Sequence, residues 1–70
     1  MKQVSAMMAG TVIEILVKPG DAVSEGQDVV ILESMKMQLP ISSTLAGLVN
    51  EIKVTSGDFV NEGDPLVILD

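Results

Sequence analysis

The chain is written twice. Ala9-Gly10-Thr11-Val12-Ile13-Glu14-Ile15-Leu16-Val17 aligns with Ala46-Gly47-Leu48-Val49-Asn50-Glu51-Ile52-Lys53-Val54 at a constant offset of 37. The same offset lays Gly20-Asp21-Ala22-Val23-Ser24-Glu25-Gly26 over Gly57-Asp58-Phe59-Val60-Asn61-Glu62-Gly63, and Val30-Ile31-Leu32 over Val67-Ile68-Leu69. Across the 25 aligned positions roughly half are identical, more than two short apolar segments share by chance. Two copies are too few for a solenoid, which needs a stack of repeats to bury its faces. The economical reading is one domain over residues 1–70, with half-repeats at about 9–33 and 46–70 related by an approximate twofold axis. The position equivalent to Lys36 would be 73, just past the C-terminus, so the segment around Lys36 and the termini should occupy opposite poles.

Both halves read as strands. In Ile13-Glu14-Ile15-Leu16-Val17-Lys18, alternation sets Ile13, Ile15 and Val17 on an inward face and Val12, Glu14, Leu16 and Lys18 outward. The second half places Ile52 and Val54 inward and Glu51, Lys53 and Thr55 outward. Val29-Val30-Ile31-Leu32 and Leu66-Val67-Ile68-Leu69 are short β-branched-rich runs, read as buried strands. Pro19-Gly20-Asp21, Ser56-Gly57-Asp58, Gly26 and Gly63 supply turns. About eight short strands in two similar groups predict an all-β fold, a flattened barrel-sandwich of two four-stranded antiparallel sheets. Pro40 and Pro65 belong at edges or strand starts.

Between the strand ending near Glu33 and the one beginning near Gln38 there is room only for a tight hairpin over 34–37, with Met35 and Lys36 as its central pair. Two-residue hairpin loops favour Asn-Gly or Asp-Gly because both central residues need positive φ. A turn that forgoes these residues is a candidate functional site. Flanking Met35 and Met37 offer soft, adaptable contact to a docking protein, or else fold back on the core.

Composition narrows the function classes. A 70-residue chain with one aromatic residue, Phe59, must build its core from aliphatic side chains. It has no cysteine and no histidine, so disulfides and the usual zinc, haem and iron–sulfur ligands are out. A net charge of −6 lacks the cationic footprint that nucleic acid or an anionic membrane surface demands. No apolar run reaches the roughly 20 residues of a membrane span, and no secretory leader is evident. A cytoplasmic, monomeric domain is expected. No nucleophile–base pair or phosphate-binding Gly-rich loop supports an enzyme. Asn61-Glu62-Gly63-Asp64 reads as a turn, not a calcium loop.

Glu33-Ser34-Met35-Lys36-Met37, set between two Ala-Gly-x-Val…Gly-Asp-x-Val-x-Glu-Gly halves, resembles the biotinyl domain of biotin carboxyl carrier proteins, related to lipoyl domains. The resemblance covers nearly the whole chain. Lipoyl domains more often present Asp-Lys-Ala at this turn. Val17 to Gly26 and Val54 to Gly63 are equal in length, so the thumb insertion of some carriers is missing, and the chain is similar to small free-standing biotin/lipoyl attachment proteins or to a domain cut from a larger carboxylase. The resemblance implies covalent biotin on Lys36, added by a biotin protein ligase that reads Glu33, Ser34, Met35 and Met37. It further implies a carrier that shuttles carboxyl groups between biotin carboxylase and carboxyltransferase sites, with the chemistry held by the cofactor and the partner enzymes. Alternatives are a lipoate carrier of a 2-oxo acid dehydrogenase or glycine cleavage system, and an unmodified structural barrel.

Overall fold

Alternating apolar residues and closely spaced turns produce eight strands in the computed structural model, which describes residues 2–70. They are β1 (Lys2–Ser5), β2 (Gly10–Ile15), β3 (Ala22–Val23), β4 (Asp28–Ser34), β5 (Met37–Ser42), β6 (Gly47–Ile52), β7 (Phe59–Val60) and β8 (Pro65–Leu69). They form two antiparallel sheets, β1-β8-β6-β3 and β5-β4-β2-β7. We call the second the hairpin sheet. Each half lends its shortest strand to the other: β3 pairs with β6, and β7 pairs with β2. The halves are therefore interlocked, which is why two copies make one domain.

The twofold relation extends to irregularities. The ladder between β2 and β4 skips Ile13, and the ladder between β6 and β8 skips Asn50, its equivalent. Likewise Val29 is skipped between β4 and β5, and Leu66 between β8 and β1. These bulges correct the simple alternation read from the sequence. Val12, assigned outward, is buried at 1% exposure, while Ile13 is half-buried. The extra residue shifts the alternation by one, so Val12, Ile15 and Val17 all reach the core while Glu14, Leu16 and Lys18 face outward. Ile52 and Val54 pack against the core as expected. The bulges at Val29 and Leu66 similarly let two consecutive residues be buried, Val29-Val30 and Leu66-Val67.

The core is aliphatic: Val12, Val30, Leu32, Ile41, Leu66, Val67 and Leu69 are among its fully buried side chains. Pro65 opens β8, and Pro40 lies in the edge strand β5. The turns starting at Lys18, Ser24, Thr55 and Asn61 share one design. The fourth residue (Asp21, Gln27, Asp58 or Asp64) donates its backbone N–H to the first carbonyl, and its side-chain oxygen accepts the first N–H at 2.9–3.0 Å. Glycine at the third position takes the positive φ, 86° to 97°, that this turn requires. These side chains are thus committed to turn geometry, including the Asp64 of the Asn61–Asp64 turn.

Gly63 and Asp64 bond to Ala6, placing the start of β8 at the end where β4 turns into β5. β8 then runs to Leu69, with Asp70 following at the far end. The hairpin lies at the pole opposite Lys2 and Asp70, as the repeat offset predicts.

Candidate functional site

β4 and β5 are joined by Met35 and Lys36 alone, closed by the pair Ser34 and Met37. Both central residues take the left-handed conformation, φ 54° and 66°, as a two-residue hairpin between right-twisted strands requires. Neither is glycine, asparagine or aspartate, so each residue bears a steric cost of about 1–2 kcal/mol. The hairpin persists because the ladder below it is long: Glu33 pairs with Gln38, Leu32 with Leu39, Ile31 with Pro40 and Val30 with Ile41, and Leu32 and Ile41 anchor it in the core.

The consequence is presentation. Lys36 is exposed, and among the described residues its Nζ has no hydrogen bond or ion pair. Met35 is 92% and Met37 59% exposed, so neither folds back onto the core. Ser34 is half-buried and Glu33 exposed. The five residues singled out from the sequence thus stand together at the tip and first two rungs of one hairpin.

The sequence reading missed two parts of this pole. One is Gly10, which lies against the Glu33 backbone; the identity of Gly10 and Gly47 in the repeat carried that signal. The other is the β1–β2 loop preceding Gly10, with Met7 exposed and Met8 half-buried against the core. Every methionine among the described residues therefore belongs to the hairpin end. Among the described residues no group of three or more acidic, His or Cys side chains could hold a metal ion.

The domain is thus a small two-sheet sandwich that displays Lys36 on a tight turn at one pole. A sequence model of the family described as "Biotin-requiring enzyme" matches residues 2–69, and the chain belongs to that biotin/lipoyl family. It is 55% identical over 38 residues to the biotin/lipoyl attachment protein of Bacillus subtilis (strain 168), a match covering 54% of this chain and 52% of that protein. It is 56% identical over 36 residues to the methylmalonyl-CoA carboxyltransferase 1.3S subunit of Propionibacterium freudenreichii subsp. shermanii, covering 51% and 29%. The matched regions therefore span about half or less of these curated relatives. The crystal structure of the Kluyveromyces lactis urea carboxylase superposes with a TM-score of 0.91 at 28% identity, over 99% of this chain and 6% of that one. The chain is homologous to the biotin carrier domains of carboxylases.

Proposed function

We propose that Lys36 Nζ is the atom to which biotin is joined, and that a biotin protein ligase joins it. The observation that carries this reading is the Met35-Lys36 turn, which holds two non-glycine residues at positive φ and leaves the lysine without a partner at the apex of the domain. The site fits the group. A free amine at an unobstructed tip can enter a ligase active site, and an amide formed there buries no charge. Lys36, once deprotonated, attacks the activated acyl carbon of the biotinyl donor; the new C–N bond forms as the bond to the adenylate leaving group breaks. The chain has no histidine to take the proton, so the ligase must supply that base and the positioning.

When bound, biotin supplies a ureido nitrogen able to carry a carboxyl group. The chain's own residues then display and tether: the rigid hairpin projects the attachment point, and confinement raises its effective concentration at the biotin carboxylase and carboxyltransferase sites of a biotin-dependent carboxylase. Intact mass after co-expression with a biotin protein ligase, and separately with a lipoate ligase, tests the reading. A single biotinyl addition, lost in Lys36→Arg with the fold retained, is expected, because a guanidinium keeps the charge but is not a usable nucleophile. Biotinylation that survives Lys36→Arg refutes the site; a lipoyl addition alone refutes the cofactor.

A further inference from the structure

Directly paired residues in antiparallel strands share a sheet face. Glu33 pairs with Thr11, and Thr11 with Phe59. The row faces outward, since the next residues along these strands, Leu32, Val12 and Val60, are in the core. Phe59, the only aromatic residue of the chain, closes the row at the sheet edge and is 65% exposed. Beside it lies an open groove of about 470 Å³, lined by apolar Val54, Val60 and Pro65 and by charged Asp58, Asp64 and Lys53. Each aspartate gives Oδ2 to its own turn, accepting the N–H of Thr55 or of Asn61 at 2.9 Å. That bond orients the carboxylate and leaves its second oxygen as an acceptor. Lys53 Nζ lies 3.4 Å from Glu51, a long exposed contact that leaves the ammonium donors for another partner.

The internal symmetry supplies a built-in comparison. At the twin of this groove Ala22 stands for Phe59, Gln27 for Asp64, Asp28 for Pro65 and Leu16 for Lys53. The same short-strand and turn geometry is thus built without the phenyl wall, the second carboxylate or the ammonium. The groove is also within reach of Lys36. Phe59 lies two strands from β4 on the rung of Glu33, which puts it ~12 Å from the hairpin tip for strands ~4.8 Å apart and a rise of ~3.4 Å per residue. A biotinyl group joined to Lys36 Nζ carries its bicycle on the order of 14 Å from the Lys36 Cα when extended, at about 1.5 Å per bond.

We propose that the groove beside Phe59 is a resting site for the biotinyl arm of the same chain. The inference rests on the reading of Lys36 as the acceptor. The bicycle of that arm is a neutral cyclic urea fused to an apolar thioether ring, and the groove offers a match to each part. Phe59, Val54, Val60 and Pro65 cover the thioether ring. Asp58 and Asp64 accept from the ureido N–H groups, and Lys53 donates to the ureido oxygen. Tethering makes a weak contact sufficient: at an effective concentration of a few mM, a site with a Kd of about 1 mM holds roughly two-thirds of the arms. The two carboxylates also discriminate by charge. An arm bearing a carboxyl group has one N–H fewer to offer and is repelled by both, so the groove holds the unloaded arm and releases the loaded one.

Amide NMR spectra before and after complete biotinylation, checked by intact mass, decide it together with the rate at which streptavidin captures the arm. Biotinylation should shift the amides of Asp58, Phe59 and Val60 as well as those flanking Lys36, and give nuclear Overhauser contacts between the thioether ring and the Phe59 ring. Phe59→Ala should abolish the remote shifts and speed streptavidin capture about threefold, as the free fraction of arms rises. Asp64→Asn keeps an acceptor for the turn but removes the charge, and should weaken both effects. Thermal melting confirms that each variant is folded. Shifts confined to the neighbours of Lys36, with equal capture rates in the parent and Phe59→Ala, overturn the groove while leaving Lys36 as acceptor. Remote shifts that fade on dilution place the arm in a neighbouring molecule and overturn it equally. A parent chain that takes no biotin overturns the acceptor reading, and this proposal with it.

Discussion

Gly10 lies so close beneath Glu33 that a Cβ on it would come 2.8 Å from the Glu33 carbonyl oxygen; at the other pole a Cβ on Gly47 would come 2.6 Å from the carbonyl oxygen of Asp70. Backbone cannot retreat as a flexible side chain can. Gly10→Ala should therefore destabilise the domain by about 1–3 kcal/mol, lowering Tm by at least about 4–8 °C in a chain of this size. Gly47→Ala should cost a similar amount. Only Gly10→Ala, which displaces the strand leading to Lys36, should also slow modification. Melting curves and ligase kinetics on the two variants separate the effects.

The turn at Met35 should trade stability for recognition. Met35 has φ 54°, a conformation glycine adopts without steric penalty. Met35→Gly should gain about 0.5–1 kcal/mol, the relief exceeding the added chain entropy, and show a higher Tm. It also removes a thioether that is 92% exposed, so modification of Lys36 should slow. Faster modification in this variant would show that the methionine contributes nothing to ligase contact.

Exposure orders the methionines toward oxidation. Hydrogen peroxide should convert Met35, 92% exposed, to sulfoxide first, then Met7 at 61% and Met37 at 59%, with half-buried Met8 last. Peptide mapping over a time course reads this order directly. Early oxidation should leave the melting curve unchanged, since Met35 packs on nothing.

Asp58 and Asp21 test the internal symmetry energetically. Their carboxylates accept the backbone N–H of Thr55 at 2.9 Å and of Lys18 at 3.0 Å. Each change to alanine should cost about 0.5–1.5 kcal/mol, and the two losses should match, as denaturant titration can measure. Unequal losses would mean that the shared turn geometry conceals different surroundings.

The hairpin was the most legible part of the site. A tight turn is a local matter, and Met35 and Lys36 stood where the chain leaves room for only two residues. The shared turns were legible for the same reason, because glycine and a capping side chain act within four residues of each other. Alternation also placed Glu14, Lys53, Ile52 and Val54 on their observed faces. It failed at Val12, because a bulge at Ile13 depends on which strand lies alongside, and nothing within Thr11-Val12-Ile13-Glu14 records that.

The sequence by itself determined the strand-and-turn inventory, the twofold repeat, the position of the two-residue turn and hence the display of Lys36 opposite the termini. These follow from side-chain period, backbone preference and chain geometry, all of which act over short range or through the repeat offset. Only the tertiary structure decided that β3 and β7 are exchanged between the halves, that Gly10 lies beneath Glu33, and that Phe59 lies one strand away from Glu33 across Thr11. Such neighbours come from hydrogen-bonded pairing between strands distant in the chain, and pairing is chosen by the burial of both faces at once, a property that no single segment possesses.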